Sequence, residues 1–201
     1  MTACSTAQVD QQRSSDLPEN DTATAPATVI IRQELMRIPF TSARLMCGST
    51  LVTDATVSAV GQGHWNNSSN AQPSTVDPDA IQRQGYVIYT PIHLSRMVVY
   101  VDHRTQKAGE LVLYGGRAGQ YEYDTDFPQV TPGQRYLLVL IPGSDQQTLY
   151  YTEKWLIVTD AFPIDAQGIV TLQQESIEQG VVYPAKTAPL SQIAQQLAAC
   201  K

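Results

Sequence analysis

The stretch Tyr86–Val101, YVIYTPIHLSRMVVYV, decides the fold class. It is the longest run dense in Val, Ile, Tyr and Met, residue types that fit a pleated and half-buried surface. Proline cannot donate to a ladder, so Ile81–Val101 reads as a central strand or pair of strands bent at Thr90-Pro91. After a polar turn over Asp102–Ala108, GELVLY (Gly109–Tyr114) returns as a second apolar run, and the two read as a hairpin. Gly115-Gly116-Arg117-Ala118-Gly119 follows. It lacks the Lys-Ser/Thr pair and the following helix of a phosphate loop, which leaves a bulge or sharp turn closing a barrel.

Outward from this hairpin, Leu51–Val60 (LVTDATVSAV) is strand-like, and YLLVLI (Tyr136–Ile141) is a continuous apolar run of the kind buried on both sides. Leu149–Thr159 and Ile169–Leu172 add further strands, and Thr28–Ile38 reads as a short strand or an extended entry. Thr41–Cys47 has a hydroxyl cap and a terminating Gly48, the pattern of a short helix. In Pro189–Ala199, Leu190, Ile193 and Leu197 share one helical face behind a proline, which predicts a docking helix. The expected fold is mainly β: a small closed or partly open antiparallel barrel, OB-like, with one or two short helices including a C-terminal one.

A chain of 201 residues holds one substantial core plus extensions, which divides it into a tether over 1–27 and a single β-barrel domain over 28–201. Hydrophobic residues at 42% against 16% charged suit a folded protein. A net charge of −6 gives no electrostatic footprint for nucleic acid, which is therefore not an expected partner. No stretch approaches the roughly 20 apolar residues of a spanning helix.

Thr2-Ala3-Cys4 looks like the tail of a lipobox, the small-residue box before the lipidated cysteine of bacterial lipoproteins, with Met1 replacing a removed apolar segment. The Ser/Thr/Gln/Asp-rich segment that follows has the composition of a flexible tether, with a reach of about 25 to 30 Å. These features place the chain outside the cytoplasm, in the cell envelope, with a membrane surface as partner through Cys4. An ordinary N-terminus with an incidental cysteine is the alternative. With Cys4 lipidated, Cys47 and Cys200 are an even pair, as a disulfide in an oxidising compartment requires; two free thiols are the alternative.

The succession LVTDATVSAVGQGHW, IYTPIHLSRMVVY, GELVLYGGRAG, PGQRYLLVLIP and DAQGIV resembles a poorly characterised group of secreted bacterial β-domains, itself similar to OB-type barrels of the netrin and metalloproteinase-inhibitor kind. The resemblance covers about Leu51–Val170 and implies a fold rather than an activity. The chain departs from the inhibitors in lacking their dense disulfides, and a lipidated Cys4 has no free amine to present to zinc, so inhibition is not expected.

The candidate chemistry is sparse. His64, His93 and His103 have no metal-ligand spacing, and no Gly-x-Ser-x-Gly elbow occurs, so neither a metal, a cofactor nor a catalytic serine is expected. In Tyr121-Glu122-Tyr123-Asp124-Thr125-Asp126-Phe127, carboxylates alternate with aromatics; such a segment binds calcium, sugars or a cationic partner, or forms a solvated edge with its rings tucked inward. Trp65, beside Asn66 and Asn67, is the best single candidate for an exposed anchor, with capping of the barrel end as the alternative. The expected function is a lipid-anchored binding or interaction module for a protein or carbohydrate, using the 61–80 loop and Tyr121, Glu122, Tyr123, Asp124 and Asp126. The alternative is an envelope hydrolase in which Glu122, Asp124 or Asp126 acts as acid or base, and it requires two of these carboxylates in one concave pocket.

Overall fold

The computed structural model describes residues 27–33, 40, 42–106, 109–148, 150–173, 176–178 and 181–200. Cys4, its box and the tether up to residue 26 lie outside the described residues. Along the chain run β1 (Val29–Gln33), α1 (Ala43–Met46), β2 (Leu51–Val60), β3 (His64–Trp65), α2 (Pro78–Arg83), β4 (Ile88–Asp102), β5 (Glu110–Tyr114) and β6 (Gly116–Ala118). They are followed by β7 (Tyr121–Thr125), β8 (Arg135–Ser144), β9 (Tyr151–Pro163), β10 (Ile169–Gln173), β11 (Ser176–Glu178), β12 (Val181–Tyr183), β13 (Lys186–Pro189) and α3 (Leu190–Leu197).

Five of these strands close a ring. β2 pairs antiparallel with β8 on one edge and with β4 on the other, β4 pairs with β5, β5 lies parallel to β9, and β9 returns antiparallel to β8. The result is the OB-like barrel that the strand pattern predicts, with the parallel β5–β9 ladder as its seam. Alternation along each strand fills the inside with Leu51, Ala55, Val57, Ile92, Leu113, Leu138, Leu140, Leu156 and Val158. On the outside, Val52, Leu137, Val139 and Phe162 lie under Leu190, Ile193 and Leu197 of α3 and under Val170 and Leu172 of β10. The run YLLVLI in β8 is therefore buried on both faces, as its unbroken apolar character requires.

Asp54 is the charged exception among the outward residues of β2. Arg135 donates to it through Nε at 2.7 Å and also through its terminal nitrogen, so the buried carboxylate is paired and hydrogen-bonded. Cys47 and Cys200 form a disulfide across a sequence separation of 153, tying the end of α1 to the residues after α3. In the chain-entropy model a loop of that size contributes about 5 kcal/mol.

A third cluster plugs one end of the barrel with Trp65, Tyr89, Tyr114, Tyr121, Tyr123 and Trp155. β1 joins it by pairing parallel to β7, Val29 beside Tyr121, which delivers Gln33 to this end. Its Oε1 accepts from both the Tyr114 hydroxyl at 2.8 Å and the Tyr123 hydroxyl at 2.7 Å.

One expectation needs correcting. Ile81 belongs to α2 rather than to the central strand, which starts at Ile88. Asp77 caps that helix and Pro78 takes its first position, a start signal that the polar composition of the loop masked. The connection from Gly61 to Val87 is tied together by its asparagines. Asn67 Oδ1 accepts from the Ala71 amide at 2.8 Å, its Nδ2 donates to the Ala71 carbonyl, and Asn70 Oδ1 accepts from the Trp65 amide at 2.7 Å.

Candidate functional site: a glycine-walled groove around Arg117

The turn from β5 into β6 builds the site. Gly115 and Gly116 have φ of 102° and 109°, a region that side chains avoid, and a Cβ on Gly116 would collide with Thr90 Oγ1. Thr90 Oγ1 donates to the Gly115 carbonyl at 2.7 Å, and Thr125 Oγ1 donates to the Tyr114 carbonyl at 3.0 Å. Pinned from both sides, the chain swings off the barrel into β6, which pairs antiparallel with β7 and sets Arg117 opposite Glu122. The β2–β4 connection closes in from the other side: a Cβ on Gly63 would lie 2.6 Å from the Arg117 carbonyl oxygen. The sharp turn that the Gly-Gly-Arg-Ala-Gly composition predicts is confined to Gly115 and Gly116; the segment leads off the barrel as β6 rather than closing it, and it forms a wall.

Three cavities meet at this wall. One of about 430 Å³ is lined by Gln62, Thr90, Tyr114, Gly116, Arg117 and Gln129, among others. A second, of about 470 Å³, shares Gly116, Arg117 and Gln129 with the first and adds Glu122, Asp124 and Thr125. A third, of about 370 Å³, shares Gln62, Gly63 and Gly119 with the first and adds His64, Asn70 and Gln72. Their common walls make one groove, running over the second and third barrel strands from the 61–80 loop to the acidic edge of β7.

Its chemistry is mixed. Arg117 Nε donates to the Gly119 carbonyl at 3.3 Å, and the guanidinium has no ion pair among the described residues. Asp124 on β7 is paired with Arg32 on β1 at 3.6 Å. One uncommitted cation, two exposed carboxylates and several amide side chains over a glycine floor suit a ligand rich in hydroxyls or amides, one that exchanges hydrogen bonds along an extended length.

The structure sorts the sequence-predicted residues clearly. Glu122 and Asp124 point outward into the groove, while Tyr121 and Tyr123, on the alternate positions of β7, are buried. Asp126 lies past the end of β7, exposed, and is not part of the groove lining. Trp65 is not an exposed anchor. It is 1% exposed and packs edge-on against Tyr121 and Tyr86, with ring centroids 5.3 and 5.8 Å away. It caps the barrel end and forms part of the floor of the third cavity. Asn66 is fully buried and its amide is committed: Nδ2 donates to the Gly85 carbonyl and Oδ1 accepts from the Val87 amide, each at 3.0 Å. Its role is to clamp the two ends of the loop. Arg117 and Gln129 are the groove residues that sequence reading missed, while Gln62 and Gln72 fall inside the 61–80 loop that it names. A single Arg inside a glycine turn was the only signal.

A smaller cavity of about 350 Å³ lies beyond Tyr114, lined by Phe127, Ile141, Pro142, Ser144, Tyr151 and Ile157. Tyr150 and Tyr151 are exposed beside it, at the connection from β8 to β9. That connection is fastened to the 61–80 loop, since the Gln146 amide donates to the Asn66 carbonyl at 2.9 Å and Gln147 Nε2 donates to Ser68 Oγ at 3.2 Å. Burial raises the hydroxyls of Tyr89 and Tyr114 above the usual tyrosine range and pushes Tyr123 up to about 12. These rings stay neutral and serve as packing groups.

Among the described residues no three His, Cys, Asp or Glu side chains come together as metal ligands. His64 Nε2 sits 3.3 Å from Glu110 Oε2, and the Nδ1 of His103 is 3.1 Å from the Ser49 carbonyl oxygen. Comparison with protein-family models, with curated proteins and with solved structures returns no match.

Proposed function

We propose that this protein is an extracytoplasmic binding module, held at a membrane surface through lipidated Cys4, that recognises an extended protein or carbohydrate ligand in the groove around Arg117. The observation that carries this reading is the convergence of the 61–80 loop and the acidic edge of β7 on one concavity. Five-stranded OB barrels bind their ligands on the face of the second and third strands, between the loops that join strands one to two and four to five. Here those strands are β4 and β5, and the two loops are hydrogen-bonded to each other. The Cys47–Cys200 disulfide supports an oxidising compartment. The Thr2-Ala3-Cys4 box supports the anchor.

The test of the groove is amide chemical-shift mapping of the isotope-labelled chain, titrated with envelope polysaccharide fragments and with extended peptides. Shifts clustered at Gln62–Gly63 and Gly115–Gly119, lost in Arg117→Ala, are expected for one ligand class. Shifts at the Tyr150–Tyr151 cavity instead would move the site, and no shift with either class would overturn the reading. The mass of the N-terminal peptide from the native protein tests the anchor independently, since an unmodified Cys4 removes it.

The hydrolase reading has one observation in its favour: Glu122 and Asp124, two residues apart on one face of β7, line the same groove, about 7 Å apart along the strand. Against it, Asp124 is engaged by Arg32 and both carboxylates stand in water, whereas a general acid needs a site that disfavours its charge. Bond cleavage abolished by Glu122→Gln would decide for the hydrolase.

A further inference from the structure

The second half of β4 is an anomaly in a barrel this well covered. β2 pairs with β4 from Ile92 to Asp102, but β5 pairs with its other edge only over Tyr89–Pro91. No other strand among the described residues pairs with that edge. Along it Met97 is 49% exposed, Val98 40% and Val99 39%, three consecutive apolar side chains that cover both faces of the strand. Register shifts against β2 fall between Val52 and Thr53 and between Thr56 and Val57, so Tyr100 and Ser95 are the extra residues of β4 and Arg96–Val99 is a regular stretch between them. Proteins blunt open edges with charges, prolines or inward-pointing lysines. Between Ile92 and Val101 this edge carries one formal charge, Arg96, and no proline.

We propose that this edge is a self-association surface, on which two copies of the chain pair antiparallel through Met97–Val99 about a two-fold axis at Val98. The segment is self-complementary in that register. Val98 meets its own copy and Met97 meets the partner's Val99 on each side of the axis, so the three exposed apolar residues cover one another. Arg96 comes opposite Tyr100 of the other copy, an aromatic partner for a guanidinium. The two Arg96 residues end up four positions apart along the strand, about 13 Å, beyond the screening length of roughly 8 Å at physiological salt. The groove around Arg117 lies on a different part of the barrel, so the dimer does not depend on what that groove binds.

The experiment is sedimentation equilibrium on the full chain carrying Cys4→Ser, so that no free thiol cross-links it. A reversible dimer is expected, with Met97→Lys weakening it by about tenfold or more, as an apolar cross-strand pair lost twice over would. Because Met97 is exposed, thermal unfolding of the variant at low concentration is expected to match the parent, which separates weakened association from misfolding. Val98→Cys tests the register: under mild oxidation it cross-links to its own copy, while Met97→Cys and Val99→Cys, each offset from itself, do not. A chain that stays monomeric at millimolar concentration overturns the proposal. So does a dimer indifferent to Met97→Lys, or a dimer that appears only when residues 1–26 are removed, which would make that segment the occupant of the edge. A monomer that instead captures an added extended peptide along Arg96–Val99 overturns it too, in favour of another protein as the partner.

Discussion

β8 and the second half of β4 are close in composition and opposite in fate. RYLLVLIPGS and HLSRMVVYVD both read as apolar strands, and both pair with β2, on its two edges. β8 is sandwiched between β2 and β9, with the barrel interior on one face and α3 with β10 on the other. The distal half of β4 has β2 on one side and no strand on the other among the described residues, and its side chains from Ser95 to Val99 are exposed. The difference is not in the residues but in what the rest of the chain brings to them. α3 is the deciding element, because its apolar face reaches β8 and leaves β4 largely uncovered.

Separating α3 from the body should have the largest effect. Cys47→Ser is expected to lower stability by up to about 5 kcal/mol in the loop-entropy model, and reduction of the parent to do the same. Denaturant melts with and without reductant measure it. Loss of the α3 cover would then make the outer face of β8 resemble β4, which a rise in hydrophobic dye binding would report.

Within β8, Leu138→Ala removes a fully buried side chain from the barrel interior and is expected to destabilise by about 3 kcal/mol. A shift of the urea midpoint without a change of slope checks this. Gly116→Ala stands next, at about 1–3 kcal/mol, because it combines an unfavourable φ with a Cβ in the place of Thr90 Oγ1. It should also displace Arg117, so ligand-induced shifts in the groove are expected to fade more than stability does.

The strand positions were legible because the barrel strands carry their own apolar signatures: Leu51–Val60 and Tyr136–Ile141, like the C-terminal helix, appear close to their observed bounds. The site was legible only in part. Glu122 and Asp124 follow from alternation along β7, but nothing local distinguishes the exposed Gln62 and Gln129 from ordinary surface amides, and they acquire meaning only where the chain folds them onto Arg117. Trp65 and Asn66 misled for a physical reason. A tryptophan followed by asparagines looks like a surface loop, yet these amides take the places of missing backbone partners and draw the ring inside. The exposure of Met97–Val99 was invisible for the converse reason, since sequence records an apolar strand but not the absence of its cover.

At alkaline pH the aromatic end should fail before the barrel. Burial pushes the Tyr123 hydroxyl from the ordinary tyrosine value near 10 up to about 12, and raises Tyr114 in the same direction. A raised folded value means that the native state holds its proton more tightly. The associated stability is complete below about pH 10 and is lost as pH climbs through 12. Tyr114→Phe removes one of the two hydroxyls bonded to Gln33, at about 1 kcal/mol near neutrality, and should flatten the decline between pH 10 and 12. A decline of equal steepness in parent and variant would assign it elsewhere.

The smallest effect is the sharpest test of the contrast between the two strands. Met46 is fully buried beside α3 and Met97 is about half exposed on the β4 edge, so the same change to alanine separates packing from coverage. Met46→Ala is expected to destabilise by about 2 kcal/mol or more, and Met97→Ala by less than about 0.5 kcal/mol at concentrations where the chain is monomeric. If Met97→Ala destabilises the monomer as Met46→Ala does, the edge is covered within one chain and the self-pairing surface does not exist. If instead the two variants differ at low concentration and converge as concentration rises, then Met97 gains in the dimer the burial that Met46 has in the monomer. Concentration, rather than any further part of the chain, would then supply the missing neighbour of β4.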